Sequence, residues 1–104
     1  MQLKHLIETL KKHDPNLVVP HGFGFPHSYR GYYEDLAFIP RENVTVGSML
    51  WDAEVALGST YQGWKGGDFR MVEYTEVWLA DEGHEGESLG SRLLAYMLAE
   101  AHRP

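Results

Sequence analysis

Apolar residues recur at helical spacing in three separate stretches of this chain, and the segments between them are short aromatic and β-branched runs. That alternation of periods restricts the fold to a few arrangements of helices on a small sheet. Leu3, Leu6, Ile7 and Leu10 define one apolar face, which predicts a helix over Met1–His13. Lys11, Lys12 and His13 would close it, and Asp14-Pro15-Asn16 would stop it. Thr45 is a natural N-cap for a second helix reaching Leu57. Its stripe is Val46, Leu50, Ala53 and Leu57, widened by Met49 and Ala56, with Gly58 at the position after the cap. A third helix spans Ser88–His102, with Leu89, Leu93, Tyr96, Met97 and Ala101 as its apolar face.

The intervening runs read as strands. Leu17-Val18-Val19 is short and ended by Pro20, and Tyr32–Ile39 forms a second strand followed by a turn over Pro40–Val44. Phe69–Ala80 reads as a hairpin, with Phe69 and Met71 on one arm, Val77 and Leu79 on the other, and a turn near Glu73-Tyr74. One continuous strand is the competing reading. The order α-β-β-α-β-β-α predicts an α+β fold: a small antiparallel sheet of about four strands with three helices packed mainly on one face. A chain of 104 residues makes one domain, residues 1–104, and can bury a core.

Composition narrows function chiefly by exclusion. A net charge of -6 opposes general binding to DNA or RNA, which needs a basic face. One bound nucleotide remains compatible, because one or two arginines suffice for it. Cysteine is absent, so disulfides and thiolate metal sites are excluded. No apolar run is long enough for a membrane span, and no secretion signal is visible, so a cytoplasmic setting in the host cell is expected. The histidines lack metal spacing: His21 and His27 have no H-E-x-x-H partner, and neither does His84. No serine occupies G-x-S-x-G, and Ser28 beside His27 is sequence adjacency only. Neither catalytic residues, a metal nor a cofactor is expected; general acid–base work by Glu34, Asp35 or His27 stays open.

Two glycine- and aromatic-rich stretches carry the candidate chemistry. "HGFGFPHSYRGYYED", His21–Asp35, reads as a loop to about Arg30, and "STYQGWKGG", Ser59–Gly67, as a second connection. Arg30 and Lys65 could hold phosphate. Tyr29, Tyr32, Tyr33 and Trp64 could stack on a planar base, and His27 could add a hydrogen bond. The competing reading has the tyrosines covering the sheet edge and Arg30 paired with Glu34 or Asp35. "DEGHEGE", Asp81–Glu87, reads as a flexible acidic loop.

Two resemblances bear on this. "EGESLGSRLLAYMLAEA" looks like the coenzyme A-binding turn and helix of the N-acetyltransferase superfamily. Here, however, Ser88 stands at the glycine and Glu85 at the Arg/Gln of that motif, so the acidic loop would repel a pyrophosphate. "PHSYRGYYEDLAFIP", "TVGSMLWDAEVALGSTYQGWKGGDF" and "SLGSRLLAYML" together resemble a family of small bacteriophage and prophage proteins marked by H-S-Y-R-G-Y-Y and G-[YW]-K-G-G, one without an assigned activity. The resemblance covers about Val19 to the end. It implies an accessory protein that counters host defence, as nucleotide sponges do, by sequestering a small anionic ligand such as a nucleotide immune signal in a homo-oligomer. Two alternatives stand beside it: an inhibitor that grips a host protein with the aromatic loop, and a small nucleotide-processing enzyme.

Overall fold

The longest strand among the described residues runs through the first part of the glycine- and aromatic-rich stretch His21–Asp35. A computed structural model describes residues 1–31, 34–62 and 67–102. Helix α1 spans Leu3–Leu10, strand β1 Val18–Ser28, and a 3-10 turn Tyr29–Gly31. Strand β2 (Leu36–Thr45) leads directly into helix α2 (Val46–Ala56). The short strands β3 (Thr60–Gln62), β4 (Asp68–Arg70), β5 (Val77–Leu79) and β6 (Glu87–Ser88) follow, and helix α3 (Ser91–Ala101) comes last. The fold is α+β, with three helices, a four-stranded sheet in the order β1-β2-β5-β6, and a separate β3-β4 pair.

Three expectations are corrected by the pairing. The segment His21–Ser28 is edge strand, not loop: β1 pairs antiparallel with β2 from Val18 opposite Thr45 to Ser28 opposite Leu36. Pro20 does not end it, because an edge strand has one row of amides without ladder partners, where a missing N–H costs nothing. Pro40 likewise continues β2, beyond the last β5 pairing at Phe38–Leu79. Thirdly, Phe69 and Val77 are not arms of one hairpin. Phe69 lies opposite Tyr61 in β3-β4, while Val77–Leu79 joins β2 in parallel, which makes the sheet mixed.

Period-two alternation sorts the two faces of the sheet. Leu36, Phe38, Val77 and Leu79 share one core with buried side chains of all three helices. Their neighbours Ala37 and Trp78 face the other way, with Tyr29 and Ala80. The helices therefore pack on one face. Phe23 and Phe38 meet inside the main core with ring centroids 4.6 Å apart. The predicted α2 ends hold: the Thr45 hydroxyl accepts from the Ser48 amide at 3.0 Å, and Gly58 takes φ 84 after the cap residue Leu57. In α3 the buried side chains are Leu94, Met97 and Leu98, whereas Tyr96, predicted on the apolar face, is 55% exposed.

Candidate functional site

Residues at the end of β1 tie down the acidic loop, which crosses the helix-free face of the sheet. His27 lies opposite Ala37 and is buried there. Its Nε2 meets the Ala80 carbonyl oxygen at 2.9 Å and its Nδ1 the Ser28 carbonyl oxygen at 3.1 Å. A neutral imidazole carries one N–H, so it donates one of these bonds at a time. Neither ring nitrogen is directed at the Ser28 hydroxyl, so the pair does not form a nucleophile–base arrangement. Tyr29 is buried and stacks on Trp78, with centroids 4.4 Å apart and planes 5° from parallel. The Trp78 indole Nε1 donates to Asp35 Oδ2 at 3.0 Å.

Arg30 follows immediately, in the left-handed region at φ 56. A non-glycine residue there is uncommon, and the conformation turns the side chain away from the line of β1. Its Nη1 donates to Glu85 Oε1 at 3.1 Å, with the Glu85 side chain 74% exposed. The sequence offered Glu34 or Asp35 as ion-pair partners; among the described residues the ion pair is with Glu85 instead, 55 residues away. The Gly86 N–H reaches the Tyr29 hydroxyl at 3.4 Å. A Cβ on Gly86 would fall 1.8 Å from the Leu79 carbonyl oxygen, so only glycine lets the loop dock this closely. Loop Asp81–Gly86 is thereby held at Ala80, Glu85 and Gly86. Of the seven predicted site residues, His27, Tyr29 and Arg30 gather at this end of β1. Tyr32, Tyr33, Trp64 and Lys65 lie outside the described residues.

A second feature was missed by sequence reasoning. Between Gly24 and His27 the register shifts, so that Phe25 and Pro26 stand against Phe38 alone, a β-bulge. Phe25 takes φ 51 and is 57% exposed. Its amide donates to Asp52 Oδ2 of α2 at 3.3 Å, capping an edge N–H, and the Arg41 guanidinium lies 4.4 Å above its ring centroid. Among the described residues no carboxylate lies within ion-pair distance of Arg41. Arg41 also lines a groove of about 580 Å³ between the β1-β2 ribbon and α3. Elsewhere near Asp52, burial pushes the Tyr61 phenol above its ordinary pKa; a hydrogen bond with Ser59 opposes the shift and the Asp52 charge adds to it.

Among the described residues no group of three or more histidines and carboxylates is placed to hold a metal, and no helix is long and apolar enough to cross a membrane. No family model, curated protein or solved structure matches the chain.

Proposed function

We propose that this chain is a non-enzymatic binding protein that sequesters a small anionic, ring-bearing ligand, such as a nucleotide-type immune signal, as a phage accessory protein would to blunt host defence. The observation that carries the reading is the Arg30–Glu85 contact. A carboxylate oxygen at 3.1 Å from a guanidinium nitrogen is the geometry with which arginine takes an anion from solution. Because Glu85 is mostly exposed, giving it up costs at most about 1 kcal/mol. A phosphate, which can engage the guanidinium fork bidentately, outcompetes it.

Two further observations support the reading. The left-handed turn at Arg30 is the kind of backbone strain that persists at ligand clamps. The Tyr29–Trp78 stack beneath it gives a rigid base. In this reading Lys65 adds charge, Tyr32, Tyr33 and Trp64 hold the ring, and the resemblance carried by H-S-Y-R-G-Y-Y supplies the phage context.

Thermal unfolding with AMP, ADP, ADP-ribose and cyclic dinucleotides tests it. A ligand at 100 times its Kd stabilises by about 2.7 kcal/mol, which raises Tm by about 10 °C in a domain this small. The shift is expected in the wild type and absent in Arg30→Ala. No shift with any of these nucleotides removes the proposal.

A further inference from the structure

We propose that the groove between α3 and the β1-β2 ribbon docks a basic, amphipathic peptide segment of a partner protein. The inference is independent of the anion reading and concerns a different surface.

Its floor is apolar. Leu93 and Met97, one turn apart on α3, meet Leu79 of β5 across the groove, and Pro40 lines it beside them. On α3, Leu94, Met97 and Leu98 are buried in the main core and Leu93 packs against it, while Leu93, Met97 and Tyr96 also line the groove. Tyr96, 55% exposed, stands at its lip. A tyrosine that is apolar along its ring and polar at its tip is a residue type favoured at interface anchors.

Charge selects the occupant. Three carboxylates line the groove, Glu42 from β2, Glu87 from β6 and Glu100 from α3. Against them stands one arginine, Arg41, whose guanidinium is engaged over the Phe25 ring. Glu87 continues into the acidic loop, where Asp81 and Glu82 are also exposed, and the whole chain carries a charge of -6. The field at the groove draws cations. An apolar stripe flanked by lysines or arginines, the pattern of a basic amphipathic helix laid in a groove, satisfies both floor and rim. A second copy of this chain would bring its own negative charge to the same rim.

Calorimetric titration at physiological salt tests the proposal. The probes are a helical Leu/Lys peptide with leucines at i, i+3, i+4 and i+7 and the same peptide with Glu in place of Lys. The Leu/Lys peptide is expected to bind and the Leu/Glu peptide not to. The combined variant Glu42→Gln, Glu87→Gln, Glu100→Gln should weaken Leu/Lys binding about tenfold, the loss of three rim pairs. The variant Asp81→Asn, Glu82→Gln, Glu85→Gln removes the same charge from residues that do not line the groove and should weaken binding less than the groove variant does. Tyr96→Ala, at an exposed position on the lip, should weaken binding while circular dichroism stays unchanged. Failure of the Leu/Lys peptide to bind overturns the proposal. So does equal binding of both peptides, equal weakening by both triple variants, or self-association that blocks the groove.

Discussion

Replacing Phe25 by alanine and by glycine in parallel separates backbone strain from ring contacts at the bulge. Phe25 occupies φ 51, where an L-residue costs about 1–2 kcal/mol that glycine escapes. Its ring is 57% exposed, which leaves somewhat under half of an aromatic side chain's ~200 Å² buried. At ~25 cal/mol per Å² that burial contributes about 2 kcal/mol, as an upper figure. The Arg41 guanidinium 4.4 Å above the ring adds about 0.5–1 kcal/mol at so exposed a site. Phe25→Ala loses the ring and keeps the strain, so it should cost about 2–3 kcal/mol. Phe25→Gly loses the ring but releases the strain, and should be the more stable of the two by about 1 kcal/mol. In a regular strand the order is the reverse, with glycine about 0.5–1 kcal/mol worse than alanine. Urea unfolding of both variants, compared at a common m-value, reads the difference. A glycine variant less stable than the alanine variant would refute the left-handed bulge.

Two further predictions concern the packing around β1 and α2. A Cβ on Gly22 would lie 2.5 Å from Val44 Cγ2 and 2.8 Å from Met49 Sδ, both in the buried core, so Gly22→Ala should destabilise by about 1–3 kcal/mol. Thermal unfolding should show a Tm lower by at least about 4 °C; an unchanged Tm would contradict the close approach of β1 to α2. The raised Tyr61 pKa makes the folded state hold its phenolic proton more tightly than the unfolded chain does. That contribution is complete below the unfolded tyrosine pKa of about 10 and is lost as pH rises above it. Stability should therefore fall on moving from pH 8 into this alkaline window, and less so in Tyr61→Phe; identical alkaline losses in both proteins would show that Tyr61 is not the cause.

The elements legible in the sequence are those whose signals are local. The spacing of Leu3, Leu6, Ile7 and Leu10 is enough for α1, and Thr45 and Gly58 bracket α2, because caps depend on a few neighbouring residues. Strand β1 was hidden by its glycines and prolines, although Gly22-Phe23-Gly24-Phe25 alternates with the period of a strand. Each hiding residue has a positional reason: Gly22 makes room for Val44 and Met49, Gly24 for Arg41 and Asp52, and the prolines sit where an edge needs no donor. The pairing of β5 with β2 was not legible, since a parallel partner 41 residues away from Leu36 leaves no local mark. In α3 the spacing carries the helical period, but the buried face is that of Leu94, Met97 and Leu98, and Tyr96 lies outside it. At the site, the residue types of Tyr29 and Arg30 stood out at once. Their partners Trp78 and Glu85 did not, being set by how the acidic loop crosses the sheet.

We propose that Arg30 is an anion clamp against which Glu85 rests in the free protein. Calorimetric affinity for the nucleotide giving the largest thermal shift among AMP, ADP, ADP-ribose and cyclic dinucleotides tests it most directly, compared across wild type, Glu85→Gln and Arg30→Ala. Removing a competing carboxylate worth up to about 1 kcal/mol should tighten binding by as much as about fivefold in Glu85→Gln. Removing the charge-assisted bonds should weaken it by tenfold or more in Arg30→Ala, since each is worth about 1.5–3 kcal/mol. Equal affinity in all three proteins, or weaker binding in Glu85→Gln, would contradict the claim.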